Sequence, residues 1–181
     1  IAAGRWFAPV AELFREKAFE EKVLNMDETE LKVLKINGKT ADKKCWMWVC
    51  STGAKAARKI AIYNFRLDRK KATAEEMLEG YDGIVQTDGY VAYGDGDYIN
   101  AGCWSHCRRK FWDSIPQKNK KSKAAHAVML IDKAMELERV AREEKYDDER
   151  LLEMRHEKVK PIIDEFYAFI DSLNPGKGSH L

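Results

Sequence analysis

The sequence predicts an α/β fold: a mixed sheet of three antiparallel strands followed by parallel strands, with flanking helices and a C-terminal pair of long helices. Three observations carry this. Residues 22–67 contain short apolar or aromatic runs separated by turn signals, the mark of consecutive strands joined by tight connections. Residues 71–116 alternate helical and strand patterns, which suits strands linked by helical crossovers. From residue 123 the pattern is helical almost to the end.

Taken in order, residues 5–20 place Phe7, Val10, Phe14 and Ala18 at helical spacing, so a helix is expected. In "KVLNMDETELKVLKING" the character changes. "VLNM" is short and apolar, "LKVLKI" alternates in part, and Asn37-Gly38 is a hairpin turn signal. "KCWMWVCST" is dense in aromatic and β-favouring residues, and "KIAIYNFRL" alternates imperfectly; both read as strands. "TAEEMLEG" predicts a short helix with Thr73 as N-cap and Gly80 as stop. "GIVQTDG" is a strand, "YVAYG" a helical turn and "DYINAGCW" a further strand. "SHCRRKFWDSI" is a helix starting at a Ser105 cap and ending at Pro116. A lysine-rich joint, "QKNKKSK", leads to amphipathic helices over 123–145 and 147–172, the second kinked or restarted by Pro161. Residues 1–116 are expected to form the core domain and 117–181 a helical region. The ribonuclease-H-like fold has this order of elements.

The 32 Lys+Arg and 30 Asp+Glu nearly cancel, so net charge does not announce a nucleic-acid binder. The distribution says more. Residues 106–123 hold Arg108, Arg109, Lys110, Lys118, Lys120, Lys121 and Lys123 against Asp113 alone. No apolar run approaches the roughly 20 residues of a membrane helix, so no membrane partner is expected. Cys45, Cys50, Cys103 and Cys107 are read as thiols of a reducing, cytoplasmic setting. The chain opens on Ile1 and closes on "NPGKGSHL", and is expected to be a piece of a longer protein.

Two carboxylates stand out: Asp27 in "VLNMDET" and Asp88 in "IVQTDGY". If the fourth strand lies parallel beside the first, both meet at one edge of the sheet. Carboxylates about 4 Å apart repel unless a positive charge lies between them. Mg²⁺, for which Mn²⁺ can substitute, takes such hard oxygen ligands and keeps waters for chemistry. Gly89 would leave a flank open to a phosphodiester. Two plainer readings compete: Asp27-x-x-Glu30 as a helix capping box, and Asp88-Gly89 as a turn. The turn is the stronger reading of Asp88-Gly89 alone. The two aspartates together, each ending an apolar strand at matching places in the topology, favour a metal site.

"MDETELKVL", "CWMWVCST", "GYDGIVQTDGYVAYG" and "AGCWSHCRRKFWD", in that order, resemble the core of the insertion sequence 66 family of transposases. The resemblance implies a DDE-class enzyme with a ribonuclease-H-like catalytic core, cutting and joining DNA with Mg²⁺. By it, Asp27 resembles the first catalytic acid and Asp88 the second. Cys103-Trp104-Ser105-His106 resembles the Cys-x-x-His signature of such groups, and the helices after residue 122 resemble the insertion that precedes the third acid. That third acid belongs to an Asn-Asn-x-x-Glu-Arg segment, which this sequence lacks. Glu136, Glu143, Glu153 and Glu165 have patterning that solvated helix faces already explain. Two thirds of the triad are expected here, and this piece alone is expected to be inactive. The implied partners are transposon-end and target DNA, further copies of the protein, and accessory proteins of the same element, with the nucleoid as the place of work. A non-catalytic DNA- or protein-binding module that keeps the fold, or an unrelated ribonuclease-H-like nuclease, is the rival reading.

Cys103, His106 and Cys107 invite a zinc reading. Structural zinc wants four ligands, and Cys45 and Cys50 face opposite sides of a strand, so zinc is not expected. Arg108, Arg109 and Lys110, with the lysines of 118–123, are the candidate DNA surface, against the alternative of a solvated helix face. Trp46, Trp48, Trp104, Phe111 and Trp112 are read as core rather than base-stacking groups.

Overall fold

Strand β1 (Val23–Leu31) is the middle of a five-stranded sheet in the computed structural model of the chain. The structure describes residues 2–36, 39–40, 44–94, 96–116 and 121–173. Beyond β1, β2 (Lys35–Ile36) and β3 (Lys39–Thr40) form a separate antiparallel ladder. The Asn37-Gly38 turn expected between them lies outside the described residues. β1 pairs antiparallel with β4 (Cys45–Thr52), and β4 antiparallel with β5 (Ala61–Arg66). On its other side β1 pairs parallel with β6 (Ile84–Thr87), and β6 parallel with β7 (Ile99–Gly102). The order β5-β4-β1-β6-β7 is the mixed, ribonuclease-H-like sheet that the sequence predicts.

The period-two alternation of a strand decides which face is core. Leu24 and Met26 on β1, Trp48 and Cys50 on β4, and Val85 on β6 are buried together. Helix α2 (Lys71–Leu78) covers them with Ala74, Met77 and Leu78, and a 3-10 turn, Val91–Tyr93, adds Ala92 and Tyr93. Trp48 and Tyr93 meet edge to face, centroids 5.9 Å apart. Trp48 is therefore core, as expected.

Helix α1 (Ala2–Phe19) forms as expected, with Phe7, Val10 and Phe14 of its apolar stripe exposed and Ala18, in its last turn, reaching the core. Two capping expectations need correction. Thr73 is not the N-cap of α2. Lys70 holds that position without a side-chain cap, and the Thr73 hydroxyl instead donates to Asp68 Oδ1 at 3.0 Å. Gly80 does follow the helix end, at a φ of +80°. Ser105 is not a cap either, because helix α3 (Trp104–Asp113) begins one residue before it.

The chain divides into two compact units, Ile1–Cys103 and Trp104–Leu181. The division falls ahead of α3, because Trp104, Cys107 and Phe111 of α3 pack on the second unit's core of Ala127, Leu130, Ile131 and Phe166. That unit continues with α4 (Lys123–Glu143), whose Ser122 cap accepts from the Ala125 N–H at 3.2 Å. Next comes α5 (Asp148–Met154), capped by Asp147, which accepts from the Arg150 N–H at 2.8 Å. A π-helical stretch, Arg155–Val159, joins it to α6 (Lys160–Ser172). Pro161 restarts the helix here: it has no N–H for the carbonyl one turn back, and the widened turn absorbs the lost bond. Among the exposed aromatics is Trp112, 56 % exposed, which is not core. Lys118, Lys120 and residues 174–181 lie outside the described residues.

Candidate active site

The β1–β6 register pairs Val23 with Ile84, Leu24 with Val85 and Asn25 with Gln86. The pairing stops at Asn25 and Gln86, two residues ahead of Asp27 and Asp88, so the two parallel strands lead toward both aspartates at the same end of the sheet. By strand alternation Asp27 lies on the face away from the buried Leu24 and Met26, whereas Asp88, past the strand end, turns to Arg69, which also holds Glu28. Asp27 is exposed and lies in mid-strand: β1 runs on to Leu31, so the expectation that Asp27 ends its strand is corrected. The same continuation removes the capping-box reading, since Asp27 and Glu30 are both strand residues paired with Val49 and Trp46.

Asp88 is the first residue past β6. Its Oδ1 accepts the Tyr90 N–H at 2.8 Å, and the Gly89 N–H goes to Thr87 Oγ1 at 3.1 Å. Asp88-Gly89 is thus a turn as well as a candidate site. Gly89 has a φ of +80°, and a Cβ there would meet nothing within 4 Å. Backbone conformation requires the glycine, and the flank beside Asp88 is open.

Sequence reasoning missed what surrounds these aspartates. Glu28, next to Asp27, points to the opposite face and is wholly buried in its side chain. The Arg69 guanidinium donates to its Oε1, and the Tyr93 hydroxyl to its Oε2. Arg69 also reaches Asp88, Nη2 to Oδ2 at 3.5 Å. Burial pushes the Tyr93 hydroxyl far above the usual tyrosine range, helped by its hydrogen bond to Glu28 and by the charges of Glu28, Asp88 and Asp27. "DET" offered Glu28 as a neighbour of Asp27, but no local pattern tied it to Arg69.

Among the described residues, no group of three or more His, Cys, Asp or Glu is arranged to hold a metal ion. Glu28 does not make up a third ligand, because Arg69 and Tyr93 already occupy its two oxygens. Asp27 and Asp88 are two hard oxygen donors with an open flank, which fits an ion that keeps part of its water shell, as Mg²⁺ does. All four cysteines are free thiols. Cys103 ends the first unit, its N–H donating to Thr87 O at 2.7 Å, one residue before Asp88.

The other sequence candidates belong to the second unit. His106, Arg108, Arg109 and Lys110 all lie on α3. Arg108 is engaged: its Nε and Nη2 donate to the Asp132 carboxylate on α4 at 2.5 and 3.1 Å, which raises its pKa further. Arg109 and Lys110 are exposed. Arg108, Arg109, Arg139 and Arg142 border one shallow depression. Glu136 and Glu143 pair with Arg139, and Glu153 and Glu165 are exposed, so all four are surface groups.

An α/β domain with this sheet order is ribonuclease-H-like. The sequence matches the family model described as "Transposase IS66 family" over residues 1–180. The chain belongs to the IS66 transposase family. It is also similar to three proteins of Sinorhizobium fredii (strain NBRC 101917 / NGR234). Uncharacterized protein y4hP is 29 % identical over 90 % of this chain and 33 % of its own length. Uncharacterized protein y4qI is 28 % identical over 87 % and 31 %, and Uncharacterized protein y4jD 26 % identical over 78 % and 30 %. The chain therefore spans about a third of the length of these curated relatives. No solved structure matches it. Among the described residues, no helix is long and apolar enough to cross a membrane.

Proposed function

We propose that this chain is the catalytic-core portion of a DDE-type DNA transposase, acting in the cytoplasm on nucleoid DNA. Asp27 and Asp88 would hold divalent cations, Mg²⁺ or Mn²⁺ in its place. Bound there, the ions would supply charge stabilisation at phosphorus for phosphodiester hydrolysis and strand transfer at transposon ends. The chain's own residues do the rest. The Tyr90 N–H orients the Asp88 carboxylate, the open flank at Gly89 admits a phosphodiester, and Arg109 and Lys110 contact DNA phosphates. A third acid, outside this chain, would complete the site, and the chain alone would not cut DNA. Joining two element ends calls for at least two copies in the working assembly.

The observation that supports this reading is the parallel pairing of β1 with β6, whose last partners, Asn25 and Gln86, stand two residues ahead of Asp27 and Asp88 respectively. The test is cleavage of transposon-end DNA with Mg²⁺ by the full-length protein and its Asp88→Asn variant. Loss of cleavage by orders of magnitude, with DNA binding kept, is expected. Cleavage at the native rate by Asp88→Asn would overturn the reading. One observation favours the non-catalytic alternative: Arg69 already gives Asp88 a positive neighbour without any metal. A full-length protein that binds transposon-end DNA and never cuts it would be that binding module.

A further inference from the structure

The segment before α2 carries Arg69 between β1 and the turn after β6. Its guanidinium is committed to Glu28, with both Nε and Nη2 against the same carboxylate oxygen. Two aromatic rings hold it: the Tyr90 centroid lies 3.8 Å from Cζ and that of Trp46 5.1 Å. The Tyr90 hydroxyl donates to the Arg69 carbonyl at 2.9 Å and fixes the backbone as well. Against Asp88 the same guanidinium reaches no closer than 3.5 Å. Glu28 is fully buried in its side chain, while Asp88 keeps 23 % exposure.

The two carboxylates are therefore unequal partners. The Glu28 contact is buried and costly to break. The Asp88 contact is at the limit of hydrogen-bond range and easily given up. A fixed positive charge at this distance also repels any cation that Asp88 would bind. We propose that Arg69 is a positioning residue, an internal counter-ion that steadies Asp88 before a divalent cation arrives and stays on Glu28 when Asp88 turns to the ion. The proposal rests on the reading of Asp27 and Asp88 as a cation site. It gives Arg69 two effects: Asp88 keeps a positive neighbour without metal, and the cation affinity of the site is held down.

Mn²⁺ titration of the chain, followed by electron paramagnetic resonance, tests this with no reliance on activity. Arg69→Gln should bind Mn²⁺ about tenfold tighter than native, and Arg69→Lys, which keeps the charge, close to native. Arg69→Gln leaves Glu28 buried without its partner and risks the fold. The double variant Glu28→Gln/Arg69→Gln removes that risk and should show a smaller gain in the same direction, about threefold. Native binding that Asp88→Asn abolishes, together with an unchanged or weaker affinity in the double variant, would overturn the counter-ion role and leave the cation site standing. A native chain that binds no Mn²⁺, or binds it equally well as Asp88→Asn, would overturn the site and the role with it.

Discussion

Asp27 and Glu28 are consecutive on β1 yet belong to opposite faces of the sheet: Asp27 is exposed, and the Glu28 side chain is wholly buried against Arg69 and Tyr93. One carboxylate faces solvent and its neighbour is structural. Replacing them should separate the two roles. Glu28→Ala leaves the part-exposed Arg69 guanidinium and the buried Tyr93 hydroxyl without their carboxylate and should cost about 1–3 kcal/mol in urea unfolding. Asp27→Ala should change stability by no more than about 0.5 kcal/mol. Equal costs would mean that the faces have been assigned wrongly.

The same contrast applies to tryptophans. Trp48 is fully buried against Tyr93, and Trp48→Ala should cost about 3–5 kcal/mol. Trp112 is more than half exposed, so Trp112→Ala should stay within about 1 kcal/mol. Denaturant midpoints measured on both variants decide this.

Burial pushes the Cys50 thiol up to about 11, against an opposing pull from Arg15. The sign follows from which state binds the proton more tightly. The folded chain holds it, so this contribution to stability is intact below the ordinary value of 9.0 and is lost as pH rises toward 11. At neutral pH, Cys50 should react with iodoacetamide far more slowly than the half-buried Cys103 and Cys107. Mass mapping of the alkylated chain checks the order, and early modification of Cys50 would contradict it.

Arg108 and Arg109 are neighbours with different tasks. Arg108→Ala removes the bidentate pair with Asp132 and should lower the melting temperature of the helical unit. Arg109→Ala and Lys110→Ala should leave stability alone and each reduce the salt slope of DNA binding by about 0.9. A slope unchanged in both would remove α3 from the DNA surface.

The sheet was legible because its signals are local. "CWMWVCST" and "KIAIYNFRL" carry β-favouring residues, and β6 is a short apolar run that Asp88-Gly89 closes. The parallel placement of β6 beside β1 was legible from the order of the elements. The Glu28–Arg69–Asp88 network was not legible. Arg69 meets Glu28 across 41 residues, and no spacing rule joins a strand glutamate to an arginine ahead of a helix. The caps differ for another reason: Thr73 and Ser105 are good capping residues, but helix starts slip by a residue or two, and each lies inside its helix. The stripe Phe7, Val10 and Phe14 gave α1 correctly, while periodicity says nothing of whether anything covers a stripe.

Crystals of the chain soaked in Mn²⁺ and measured at the manganese absorption edge test the central claim most directly. An anomalous peak within about 2.2 Å of one carboxylate oxygen each from Asp27 and Asp88 is expected. No peak at that position, or a peak held by one aspartate with the other turned away, would contradict the shared cation site.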